Sequence, residues 1–170
     1  SADLSVVTVA TPDGLDGLPL FSSVAAMTAW NPSARPVPSS APRAALAAAQ
    51  EGNTRIILDP GSATEFVLRR VAIAAVAQQL PWSQPHLREE VAAEFARIFE
   101  PYQEVADFAL EAGDPQQLLA GPELVLVLKL VPGLTQDAFD DLMKVIAQDL
   151  SQSSVVAEYV DSLRLKIAQA

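Results

Sequence analysis

Hydrophobic and polar positions alternate most regularly from Leu124 onward. Leu124, Leu126, Leu128 and Leu130 fall on one face, and Val125, Val127, Lys129 and Val131 on the other. Two mostly apolar faces predict an inner strand of a sheet, covered on both sides. Pro132 and Gly133 stop it, since proline donates no ladder bond and glycine accepts a turn. Thr135 then caps a helical pattern whose apolar stripe is Phe139, Leu142, Met143, Ile146 and Leu150. Asp137 sits in its first turn, where the helix dipole favours a carboxylate, and Asp140, Asp141, Lys144 and Gln148 fill the other face. Alternation returns with Leu163, Leu165 and Ile167, predicted inward, and Arg164 and Lys166 outward. Strand, helix and strand at this spacing predict a right-handed parallel crossover.

Earlier patterns are shorter. Residues 4–10 alternate and are rich in β-branched side chains, which predicts an opening strand ended by the turn Thr11-Pro12-Asp13-Gly14. Ser22 and Ser23 precede a helix carrying Val24, Met27 and Trp30, which Asn31-Pro32 ends. Residues 32–42 hold four prolines and predict an extended segment or edge strand. Ser40 caps an alanine-rich helix that closes at Gly52. Residues 55–59 and 65–70 predict a hairpin joined through Asp59-Pro60-Gly61-Ser62, followed by an apolar helix over 71–80. Beyond Pro81-Trp82-Ser83-Gln84-Pro85, Leu87, Val91, Phe95 and Ile98 make one helical stripe. Residues 103–111 predict a strand with Ala106, Phe108 and Leu110 inward, and a short helix is expected before the strand at Leu124. The predicted class is therefore α+β: mixed sheets with helices packed on one face, the C-terminal half containing a β-α-β crossover. The domains read as 1–80, a linker at 81–85, and 86–170.

Composition narrows the class further. At 170 residues and 50% apolar, the chain can bury one sizeable core or two small ones. No apolar run approaches the roughly 18–20 residues that span a bilayer, and no basic, apolar leader is visible at Ser1-Ala2-Asp3-Leu4. Without cysteine there is no disulfide, thiolate nucleophile or cysteine metal site, which fits a cytoplasmic protein. The net charge of −10 is uneven: residues 1–85 carry 6 acidic and 5 basic side chains, residues 86–170 carry 15 and 6. That balance excludes nucleic acid and anionic membrane as expected partners. It leaves solubility, or docking of the acidic half on a basic protein surface, as its meaning.

Chemistry-bearing residues are sparse. His86 is the only histidine, so a nucleophile–base–orienter set lacks candidates, and the plain reading is a surface residue at a helix start. Ser62, in Asp59-Pro60-Gly61-Ser62, lacks the nucleophile-elbow context and reads as a turn residue. Asp137, Asp140 and Asp141 lack calcium-loop spacing and read as a solvated face. Arg69 and Arg70, with Arg55 and Glu65, form the one basic cluster; cross-strand ion pairs are the plain reading and a carboxylate ligand the sharper one. Trp30 and Trp82 each sit beside a proline at a segment end, which suits a core anchor or an interface. The candidate ligand or partner surface is therefore Trp30, Asp59, Ser62, Glu65, Arg69 and Arg70, with no catalytic residue, metal or cofactor expected.

Three stretches carry a family resemblance: Leu18-Pro19-Leu20-Phe21-Ser22-Ser23-Val24, Ala29-Trp30-Asn31-Pro32, and Ile57 to Arg70 around the Asp59 turn. They resemble the SseB family (enhanced serine sensitivity), actinobacterial branch, over residues 1–80. Gly113-Asp114-Pro115, Gly121-Pro122-Glu123-Leu124 and Val160-Asp161-Ser162-Leu163 resemble that family's C-terminal region. The resemblance implies further residues ahead of Ser1 and supplies no catalytic or cofactor-binding residue. Three functions follow as expectations. The first is a non-enzymatic interaction module with a protein partner or self-association. The second is a small-molecule (amino-acid) sensing domain with Arg69 or Arg70 on a carboxylate, and the third a hydrolase or transferase using Ser62 or His86.

Overall fold

The computed structural model describes residues 7–169, which divide into two compact units. Residues 4–6 of the predicted opening strand lie outside the described residues. The first unit runs to Trp82 and takes in Gln116–Ala120; the second comprises Ser83–Pro115 and the chain from Gly121.

In the first unit, strand β1 (Val9–Ala10) pairs antiparallel with β2 (Asp16–Leu20), and β2 pairs parallel with β3 (Arg55–Leu58). Strand β4 (Phe66–Arg69) closes the order β1-β2-β3-β4 by antiparallel pairing with β3. Strand β2 has no clean alternation because Gly17 and Pro19 interrupt it, yet both residues suit their places. A Cβ on Gly17 would lie 2.2 Å from Ile57 Cδ1, so its absence lets that side chain cover the strand. Strand β1 pairs only with Asp16 and Gly17, so Pro19 sits beyond the ladder in which its missing N–H would matter. Between β2 and β3 run α1 (Val24–Trp30) and α2 (Ala41–Gln50), while α3 (Arg70–Gln78) follows β4 directly. The Ser23 hydroxyl accepts the Ala26 N–H at 3.1 Å, as its place before the first helix predicts. Residues 32–40 form no strand; their prolines forbid a ladder.

The first core is built from small side chains. Ala45 and Ala48 of α2 and Ile73 of α3 cover Ile56 on one side of the sheet. On the other, Ile57 and Val67 meet Leu119, and the Val67 N–H donates to the Gln117 carbonyl at 2.8 Å. Leu119 reaches this position with φ +59°, a left-handed backbone that a branched side chain rarely adopts.

The second unit is more regular. A short 3-10 turn (Pro85–Leu87) leads into α4 (Glu89–Phe99), then β5 (Val105–Ala112) and β6 (Leu124–Leu130). Helices α5 (Gln136–Gln152) and α6 (Ser154–Tyr159) cross over to β7 (Leu163–Gln169). The sheet order is β5-β6-β7, with β5 and β6 antiparallel and β6 and β7 parallel. Leu124, Leu126, Leu128 and Leu130 meet Val91, Phe95, Ile98 and Phe99 of α4, and Leu142 and Ile146 of α5, in a single core. Helices thus cover one face of an α+β layer, as predicted.

Four details of the expected pattern change. Leu87 belongs to the 3-10 turn, not to α4, and is 68% exposed. Ala106 is exposed because the β5–β6 register shifts between Val105 and Asp107. No helix forms over 113–123; Gly113 and Gly121 approach so closely that a Cβ on Gly113 would lie 2.1 Å from the Pro122 carbonyl oxygen. Leu165 and Ile167 share the core face but lie on the last strand of the sheet, where they remain 38% and 40% exposed.

Candidate functional site

The hairpin loop of the first unit carries three of the six candidate residues. Asp59 has φ +48°, a conformation Asp tolerates better than most residues, and its side chain turns back beneath the loop. Its N–H donates to the Leu20 carbonyl at 2.8 Å, extending the β2–β3 ladder. One carboxylate oxygen accepts the Ser22 N–H at 2.8 Å; the other accepts the Ser22 hydroxyl at 2.7 Å and the Thr64 hydroxyl at 3.2 Å. The Ser22 hydroxyl, then its N–H, hold this carboxyl below the usual carboxylate range. The Ser62 hydroxyl accepts the Thr64 N–H at 3.1 Å and shares a hydrogen with the Thr64 hydroxyl at 3.0 Å. The Glu65 carboxylate accepts the Gly61 N–H. Asp59, Ser62 and Glu65 are thus brought together, with Ser22 and Thr64, whose roles sequence reasoning did not single out.

Trp30 ends α1, half-buried, with its ring centroid 5.3 Å from that of Phe21, so it anchors the helix end. Arg69 is buried at the far end of the hairpin, about 10 Å along β4 from the loop by strand rise. It faces Arg55 across the ladder, and Arg55 Nε donates to Asp13 at 2.8 Å. Burial pushes the Asp13 carboxyl up, but the Thr11 hydroxyl and Arg55 outweigh it and the carboxyl ends below its ordinary value. Arg70 is exposed at the first turn of α3. A hollow of about 100 Å³ on this unit is lined by Val9, Thr11, Ile57, Glu65, Val67 and Leu119 among others.

A second polar cluster, invisible in the sequence because its members are far apart, lies in the second unit. Glu94 on α4 accepts both Arg97 Nε and Nη2 at 2.8 Å. It also accepts the Ser153 hydroxyl at 2.6 Å. Ser153 in turn accepts the Val156 N–H at 3.2 Å and so caps α6 where α5 breaks. Arg97 first, then Ser153, draw the Glu94 carboxyl down to about 2. Nearby the Tyr102 hydroxyl donates to Asp149, which raises the phenol above its ordinary value. A cleft of about 300 Å³ is lined here by Arg97, Ile98, Pro101, Asp149, Gln152 and Ser153. At the other end of α4, the Arg88 guanidinium lies 4.2 Å from the Tyr159 ring centroid.

His86 sits half-buried in the 3-10 turn, and among the described residues no hydrogen-bond partner reaches its Nδ1. No group of three or more His, Asp or Glu among the described residues is placed to hold a metal ion. No described helix is long and apolar enough to cross a membrane.

Fold and loop together define an α+β protein of two mixed-sheet units, the first of which carries a hydrogen-bonded hairpin loop. Residues 1–75 match the family model described as SseB protein N-terminal domain, so over this stretch the chain is similar to SseB proteins, as its motifs indicated. No curated protein and no solved structure matches the chain.

Proposed function

We propose that the chain is a non-enzymatic interaction module of the cytoplasm, with residues 86–170 extending the SseB likeness into the C-terminal region of actinobacterial members. The observation that carries this reading is how the candidate loop uses its polar atoms. Both Asp59 oxygens are taken by Ser22 and Thr64, and the Ser62 hydroxyl is engaged by Thr64, not by a base. A carboxylate satisfied in this way fixes a loop; it does not orient a histidine or activate a nucleophile. The exposed leucine and isoleucine of β7 offer apolar surface at a sheet edge, where protein segments dock.

The test is capture of the tagged full-length protein from its own lysate, read by quantitative mass spectrometry against a tag-only control. A partner at near-stoichiometric yield is the expected result. Capture of nothing, with thermal stabilisation by a free amino acid, would move the assignment to small-molecule sensing.

A further inference from the structure

The two outer strands of the second sheet differ in charge in a way that selects what can add to them. On the face away from the helices, β5 presents Asp107, Ala109 and Glu111, and β7 presents Arg164, Lys166 and Ala168. Strand β6 supplies Lys129, Val127 and Val125 between them, so the register runs Asp107–Lys129–Ala168, Ala109–Val127–Lys166 and Glu111–Val125–Arg164. On the core face the same register aligns Leu110 with Leu126 and Leu165, and Phe108 with Leu128 and Ile167. One edge is therefore acidic and the other basic, over apolar rows that run through to exposed Leu165 and Ile167.

Two like edges repel. A β7–β7 pair in antiparallel register about Leu165 sets Arg164 opposite Lys166 from both sides. A β5–β5 pair about Ala109 sets Asp107 opposite Glu111. Like charges directly opposite in a ladder are destabilising, so a two-fold dimer through either edge is disfavoured. Unlike edges attract. Moving a second copy sideways along the sheet, with its helices on the same side, brings its β5 antiparallel to β7 of the first. The rows then continue: Arg164 meets the copy's Glu111, Leu165 its Leu110, and Ile167 its Phe108. Within the chain, Asp107 is held by Lys129 at 2.7 Å, while Glu111 and Arg164 are both exposed.

We propose that the occupant of the β7 edge is the β5 edge of a second copy of this chain, giving a head-to-tail contact that continues the three-stranded sheet from copy to copy. The proposal rests on the interaction reading above and names its partner. Among the described residues each three-stranded sheet has one outer strand of each kind, so association does not stop at a dimer unless the rotation closes a ring.

The test uses the full chain and two charge-reversed variants, Arg164→Glu and Glu111→Lys, followed by sedimentation velocity from micromolar to near-millimolar concentration. The wild-type weight-average mass is expected to rise more than twofold over that range at low salt and to fall back as salt is added. Each variant alone should stay a monomer, since either substitution sets like charges opposite each other at the 164–111 pair. An equimolar mixture should recover concentration-dependent growth, because positions 164 and 111 of unlike variants again face each other with opposite charge. Far-UV circular dichroism of both variants confirms that a monomer is a folded one. A wild type that stays monomeric throughout, or variants that assemble like it, overturns the proposal. If the wild type is monomeric yet captures a partner undiminished by Arg164→Glu, the edge pairing fails and the interaction reading stands. If it is monomeric and captures nothing, both fail.

Discussion

The two units solve the same problem, a mixed sheet that must bury one or both faces, with different materials. The first packs two alanines and two isoleucines together, Ala45, Ala48 and Ile73 covering Ile56, with a small second cluster of Ile57, Val67 and Leu119 behind the sheet. It buries arginine as well, with Arg55 and Arg69 both nearly inaccessible, and ties its longest hairpin with hydrogen bonds. The second stacks four leucines of one strand on two phenylalanines and branched residues of α4 and α5, and its polar hub, Glu94, lies at the margin of that layer. Area burial stabilises the second; close approach and satisfied polar atoms hold the first.

The largest test of that difference is in the leucine layer. Leu126 is fully buried at the centre of β6, and Leu126→Ala should cost about 2–5 kcal/mol in a denaturant titration, through lost transfer energy and a cavity. The first unit should fail the opposite way. Ala48 is fully buried against Ile56, so enlarging it by Ala48→Val should cost about 1–3 kcal/mol through overpacking. If Ala48→Val were neutral, the picture of a core closed by methyl groups would be wrong.

Next come the polar ties. Asp59→Ala leaves the Ser22 N–H and hydroxyl without their acceptor and puts alanine at a positive φ, so it should cost about 1–3 kcal/mol by thermal melting. Asp59→Asn keeps an acceptor and a residue tolerant of that φ, and should cost less. In the second unit Glu94→Gln should weaken the α4–α6 clamp by about 1–3 kcal/mol and flatten the acid limb of stability. The sign follows from the carboxyl: about 2 in the folded chain against 4.5 in the unfolded one. Its stabilisation is complete above pH 4.5 and is lost as pH falls towards 2, so wild type and variant should converge over that window. The smallest effect belongs to an exposed pair: Lys144→Ala breaks its contact with Asp141 and should change stability by no more than about 0.5 kcal/mol.

Legibility tracked periodicity. Strand β6, the stripe of α4 from Val91 onward, and the α5 stripe were readable because a buried face forces apolar residues to recur at the element's own period. Strand β2 was not, since Gly17 and Pro19 carry no alternation and only the covering Ile57 explains the glycine. Of the candidate residues, Asp59, Ser62 and Glu65 were legible as one turn because they are neighbours in sequence. Arg69 and Arg70 were readable as a cluster, but their separation into a buried and an exposed side chain follows from β4 ending where α3 begins. Ser22 as the partner of Asp59, and Ser153 as the partner of Glu94, join residues 37 and 59 positions apart, and no local pattern records such a bond.

The sequence by itself determined the class of the protein, the crossover of its second half and the residues of its larger core, because those depend on the 2.0 and 3.6 periods of the backbone. Tertiary structure alone decided the strand order, the return of Gln116–Ala120 to the first unit, the break between α5 and α6, and which apolar residues stay at an edge. Those features depend on which groups meet across long separations. A leucine on a last strand has the same spelling as one on an inner strand, and differs only in the neighbour it lacks.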